Sequence, residues 1–117
     1  MRFLSLYRHA RPEGVPPSER EMAEMGRLID EMTRAGVLLA TEGCMPSAQG
    51  ARVRLAQGTF AVTAGPFAEA GEAIGGFALI QARSREEAIE WSKRFLKVIG
   101  DGECEIRQLH DAPDCMG

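Results

Sequence analysis

The sequence predicts an α+β domain, a mainly antiparallel sheet with two helices on one face. Three observations predict it. Strand-like and helix-like segments follow in the order strand, helix, strand, hairpin strands, helix, strand. Both helical segments carry their own start and stop signals. A Gln57-Gly58 pair joins two short runs as a tight hairpin turn does.

Phe3, Leu4, Leu6 and Tyr7 form the first strand, and "ARPEGVPPSER" breaks it with three prolines and a glycine. Ser18 is placed as an N-cap, with Glu21 three residues on to complete a capping box. Met22, Met25, Leu28, Ile29 and Met32 then recur at helical spacing through about Arg34, and Gly36 supplies the stop. Val37 to Thr41 reads as the second strand and "EGCMPSAQG" as a loop. Arg52 to Leu55 and Phe60 to Thr63 are the hairpin. "TAGPFAEAGEAIGG" follows as a glycine-rich connection, then Phe77 to Ala82 as a strand. Ser84 and Glu87 form a second capping box ahead of Ala88, Trp91, Phe95 and Ile99. The early charges of that helix are acidic and the later ones basic, which complements its dipole. Gly100 and Gly102 end it, and Cys104 to Leu109 is the last strand.

The 117 residues make one domain, residues 1–117, with a frayed tail from about 111. With 26% charged residues and a formal net charge of −3, the chain has no strong pull on nucleic acid or anionic lipid. No apolar run approaches the roughly 20 residues that span a bilayer. The opening "MRFLSLYRHARP" has no signal-peptide core, so the cytoplasm is the expected location. Three cysteines without CxxC spacing fit reduced thiols rather than a disulfide framework.

The first strand has two apolar faces, Leu4 and Leu6 on one and Phe3 and Tyr7 on the other. The strand at Phe77 repeats the pattern. Two helices cover one face, and the simplest cover for the second is another copy of the same sheet, which predicts a homodimer.

At "AGPFAE…E…GGF", "SREEAIEW" and "GECEIRQL" the chain resembles the YCII-related family, and within it the branch named for an Asp-Gly-Pro-Phe motif. Tyr7, the "AGVLL" turn and Arg54 extend the likeness over most of the chain. The resemblance implies a ferredoxin-like fold pairing into a dimeric α/β barrel. It also implies either a proposed enzyme with a His–Asp pair in its cleft or a module associated with transcription-related proteins (alternative sigma factors). Two positions depart from the pattern. Ala64 stands where the motif has Asp, and Met25 where enzyme-like relatives carry His. Neither a methyl group nor a thioether relays protons.

The glycine-rich stretch either turns a rigid corner or lines a cleft, with Phe67 as an anchor and Glu69 and Glu72 at the rim. It lacks the lysine and following helix of a phosphate loop. Glu69 and Glu72 are either an acid–base pair or solvated carboxylates. His9 shares the parity of Phe3, Ser5 and Tyr7, near the end of the face expected to be the barrel interior. It is either a general base or an exposed strand end. Arg52, Arg54 and Arg107 are strand arginines, which pair with Glu42 and Glu105 or clamp an anion. "HDAPDC" has no zinc spacing, and no cofactor or metal is expected. Two functions compete. One is a binding or regulatory homodimer whose cleft uses Tyr7, Arg54, Phe67 and Arg107 to hold a small, partly apolar anion. The other is a dimeric-barrel enzyme for a small organic acid, with His9 as base and Glu69 or Glu72 as partner.

Overall fold

The computed structural model describes residues 1–67 and 73–111. Strand β1 (Arg2–His9) lies in the middle of a four-stranded sheet, because its alternating side chains let it bury one face while pairing on both edges. Helix α1 (Glu19–Arg34) leads to β2 (Leu38–Gly43), a single 3-10 turn (Ser47–Gln49) and a hairpin of β3 (Ala51–Ala56) and β4 (Thr59–Ala64). Strand β5 (Ile74–Gln81), helix α2 (Arg85–Ile99) and β6 (Gly102–Gln108) complete the domain. The sheet order is β2-β5-β1-β6 with antiparallel neighbours throughout. With the hairpin set aside, this β-α-β-β-α-β path is the ferredoxin-like arrangement.

Each helix begins where the sequence places it. The Ser18 hydroxyl accepts from Glu21 N, and the Glu21 carboxylate accepts from Ser18 N, a complete capping box. Ser84 caps α2 by accepting from Glu87 N, while the Glu87 carboxylate takes Arg83 Nε at 2.9 Å. Gly36 and Gly100 stop the helices with φ of 73° and 92°, where a Cβ would strain the backbone.

The core gathers Phe3, Leu28, Met32, Val37, Ile80, Ala82 and Ala88 between the helices and one sheet face. Val37 belongs to this core just ahead of β2 rather than to the strand itself. A buried hydrogen bond of 3.1 Å between the Ser5 and Ser92 hydroxyls fastens β1 to α2. Phe3, Ser5, Tyr7 and His9 therefore point under the helices. This corrects the expectation that their face is the interior of a barrel: alternation defines two faces but does not say which one the helices choose. The outer face carries Leu4, Leu6, Phe77 and Leu79, all half-buried.

The glycine pair expected to turn a corner lies inside β5 instead. Gly75 is the extra residue of a bulge opposite Tyr7 and Arg8. Gly76 has an ordinary negative φ, and its lack of a side chain serves close packing: a Cβ there would stand 2.6 Å from the Glu42 carbonyl oxygen. The hairpin matches its prediction, with positive φ at both Gln57 and Gly58, and it pairs only with itself.

Candidate functional site

A cavity of about 840 Å³ lies between the inner sheet face and the two helices. Its walls are mainly apolar: Met25, Leu28, Ile29 and Met32 from α1, Trp91, Phe95 and Ile99 from α2, and Ala78 and Ile80 from β5. The volume falls in the range of small-molecule pockets, which also join apolar walls to a few polar groups. Here several polar groups collect where β1 runs out into the loop before α1, while Ser5, Thr41, Glu42, Gln49 and Ser92 line other parts of the wall. Tyr7, His9, Arg11 and Glu13 all line the cavity.

Two glycines make room for the rings. A Cβ on Gly75 would meet His9 Nε2 at 2.6 Å and Tyr7 Cδ2 at 2.7 Å, and one on Gly102 would meet Tyr7 Cε1 at 2.5 Å. Tyr7 sits edge-on between His9 and Phe95, with ring centroids 5.0 and 5.1 Å away. Its hydroxyl makes a long 3.5 Å bond to the Asp101 carbonyl, and burial raises its pKa. His9 Nδ1 is shielded from solvent and has no hydrogen-bond partner among the described residues. Burial, and then the Arg11 charge, push the imidazole pKa below its ordinary value, so the ring is neutral near pH 7. Arg11 is 3.3 Å from the Glu21 carboxylate, with both side chains partly exposed.

The mouth of the cavity is fastened by Glu13. Its carboxylate accepts from Ser47 N at 2.7 Å and from the Ser47 hydroxyl at 2.6 Å, bonds that lower the Glu13 pKa. The Ser47 oxygen in turn accepts from Phe67 N at 3.3 Å. One carboxylate thus ties the β1–α1 loop, the 3-10 turn and the Gly65–Phe67 turn together. Gly65 is what allows the approach, since a Cβ there would fall 1.6 Å from the Ser47 carbonyl oxygen.

Residues 1–111 match the YCII-related domain. The chain belongs to the YCII-related family. No curated protein matches it.

In this YCII-related chain the residues singled out from the sequence separate into two groups. Tyr7 and His9 stand side by side in the cavity wall, and Met25 lines the same cavity from α1. Phe67, Arg54 and Arg107 are not among the lining residues. Phe67 packs under the Arg52 guanidinium, 4.2 Å from ring to carbon. Arg54 is exposed on β3. Arg107 is exposed on the outer sheet face, 3.2 Å from Glu105, which also binds Arg8 at 2.9 Å. Glu69 and Glu72 lie outside the described residues. Arg11 and Glu13 are not site candidates by sequence, because "ARPEGVPPSER" reads as a strand breaker. β1 ends at His9, so strand parity does not extend to Arg11 or Glu13, and no sequence signal singles them out. Among the described residues no His, Cys, Asp and Glu side chains gather as metal ligands would, and no helix is long and apolar enough to cross a membrane.

Proposed function

We propose that this YCII-related chain is a small-molecule binding module that works as a homodimer, with a partly apolar anion as its ligand. The observation that carries the reading is the cavity itself, apolar through most of its wall and polar at one end. The ligand body rests on Met25, Leu28, Trp91 and Phe95. Its head reaches His9 and Arg11, the one arginine among the described lining residues. His9 Nδ1, without a partner among the described residues, supports that placement, because a shielded polar atom gains most from a partner. Arg11 replaces Arg54 and Arg107 as the anion's contact. The Ala64-Gly65-Pro66-Phe67 turn, packed tightly on Ser47, supports membership of the Asp-Gly-Pro-Phe branch, with Ala64 in the motif's first position.

Trp91 is the chain's single tryptophan and lines the cavity, so its fluorescence is a built-in reporter. Titration with 1-anilinonaphthalene-8-sulfonate, an amphipathic anion, is expected to quench Trp91 saturably, and Arg11→Ala is expected to weaken binding. Native mass spectrometry of freshly purified protein is expected to show a dimer that retains a small molecule. A probe that leaves Trp91 unchanged, with no retained mass, contradicts the binding reading. A regulatory role through a transcription-related partner predicts that a pull-down returns such a protein and not the chain alone.

A catalytic reading draws on the neutral His9 imidazole, which is suited to act as a base near pH 7. It predicts that a retained molecule is chemically altered on incubation with the native chain but not with His9→Ala.

A further inference from the structure

The β3–β4 hairpin stands off the domain as an arm. It pairs with no strand of the four-stranded sheet, and all of its strand residues are exposed. Its register puts Val53 opposite Val62 and Leu55 opposite Phe60, so these four side chains share one face. They are 69%, 68%, 60% and 69% exposed, respectively. The flanking residues of that face, Ala51 and Ala64, are uncharged, and both arm arginines, Arg52 and Arg54, lie on the opposite face. An isolated two-stranded hairpin is marginal in water, and an uncharged apolar face on one is a surface built to be covered.

We propose that this face seats on a second copy of the chain, against the outer sheet face of Leu4, Leu6, Phe77 and Leu79. The inference rests on the homodimer reading and deepens it by assigning the surfaces. The chain exposes two apolar faces, both strand-built and both free of charge at their centre, and stacked sheets pack about 10 Å apart. A two-fold axis lets each copy give an arm and receive one, so both faces are covered by one operation. The four arm side chains offer roughly 400–500 Å² per copy. Two reciprocal contacts remove on the order of 800–1,000 Å² from the two arms, and the half-buried receiving faces add a smaller share, which brings the total to roughly the lower end of the range of a stable protein interface. Depletion of charge at the centre and an aromatic anchor, Phe60, are what such an interface needs. Because the arm is rooted next to the 3-10 turn at the cavity mouth, the second copy is seated close to the proposed ligand site.

Sedimentation velocity on the native chain, Phe60→Glu and Leu6→Glu tests the assignment. The native chain is expected to be a dimer, and each variant is expected to weaken it by roughly 30-fold or more. If Leu6→Glu alone dissociates it, the sheets pair without the arm: this inference is overturned and the homodimer reading stands. If Phe60→Glu alone dissociates it, the arm seats elsewhere and the inference is again overturned. A native chain that is monomeric at about 100 μM, where even a micromolar complex is largely formed, overturns both. Isotope-filtered NMR on a mixture of labelled and unlabelled native chains needs no variant. Contacts between the Phe60 ring of one copy and the Leu4, Leu6 or Leu79 methyls of the other are expected, and their absence refutes the seating.

Discussion

Replacing Gly75 with alanine places one methyl group against the centre of the proposed site. That Cβ would stand 2.6 Å from His9 Nε2, 2.9 Å from His9 Cε1 and 2.7 Å from Tyr7 Cδ2. Non-bonded heavy atoms rest at about 3.5 Å or more, so the rings must withdraw by about 1 Å. Tyr7 has little room, with Phe95 edge-on to it and the Gly102 backbone against its far side. The displacement therefore falls on His9, which moves toward the cavity. Overpacking of this kind costs about 1–3 kcal/mol, read as a lower urea midpoint at an unchanged slope. The chain has two histidines, so their imidazole proton resonances are followed individually by NMR. In the native protein His9 is expected to titrate below the ordinary value of about 6.5. In Gly75→Ala the ring loses part of its burial, and its pKa is expected to rise toward that value. An unchanged His9 titration together with unchanged stability would refute the placement of the ring.

Phe3, 1% exposed, should lose about 3–5 kcal/mol on replacement by alanine. Trp91 is only partly buried, with one side on the cavity and Arg94 over its ring, so Trp91→Ala should lose less, roughly 2 kcal/mol. Equal losses in chemical denaturation would mean that Trp91 is core. Gly76→Val should cost roughly 3 kcal/mol or lower the yield of folded protein, since the added Cβ meets the Glu42 carbonyl oxygen and, at 3.1 Å, the Gly43 Cα, both backbone atoms that retreat only by parting β2 from β5. For pH, the depressed His9 pKa means that the unfolded chain binds the proton first. The contribution of His9 is therefore present above about pH 6.5 and is lost as pH falls through the lower folded value. Stability measured across that window should fall less in His9→Gln, and an identical fall would assign it to other groups.

The helices were legible almost to the residue, because Ser18, Glu21, Ser84, Gly36 and Gly100 act through local backbone chemistry that a single sequence displays. The Gln57-Gly58 hairpin was legible for the same reason. What failed was long-range. Both faces of β1 are apolar in composition, and only tertiary packing, Phe3 in the core and Ser5 on Ser92, shows that Tyr7 and His9 go under the helices. Gly75 and Gly76 looked like turn residues because a glycine demanded by a neighbouring ring or carbonyl is indistinguishable, in sequence, from one demanded by φ. The arginines on alternating strands drew attention as anion contacts, yet Arg54 belongs to the protruding arm and Arg107 to the outer face. Arg11 and Glu13 sit in a proline-rich segment, and Glu13 is held there by Ser47, more than 30 positions away.

The cavity between sheet and helices is the proposed ligand site. Methyl NMR of methionine-labelled protein tests this most directly, because Met25, Met32 and Met45 line the cavity while Met1 and Met22 are exposed away from it. On addition of 1-anilinonaphthalene-8-sulfonate, saturable shifts are expected at Met25, Met32 and Met45, with Met1 and Met22 unmoved. Shifts confined to Met1 or Met22, or no shift at any methyl, would contradict it.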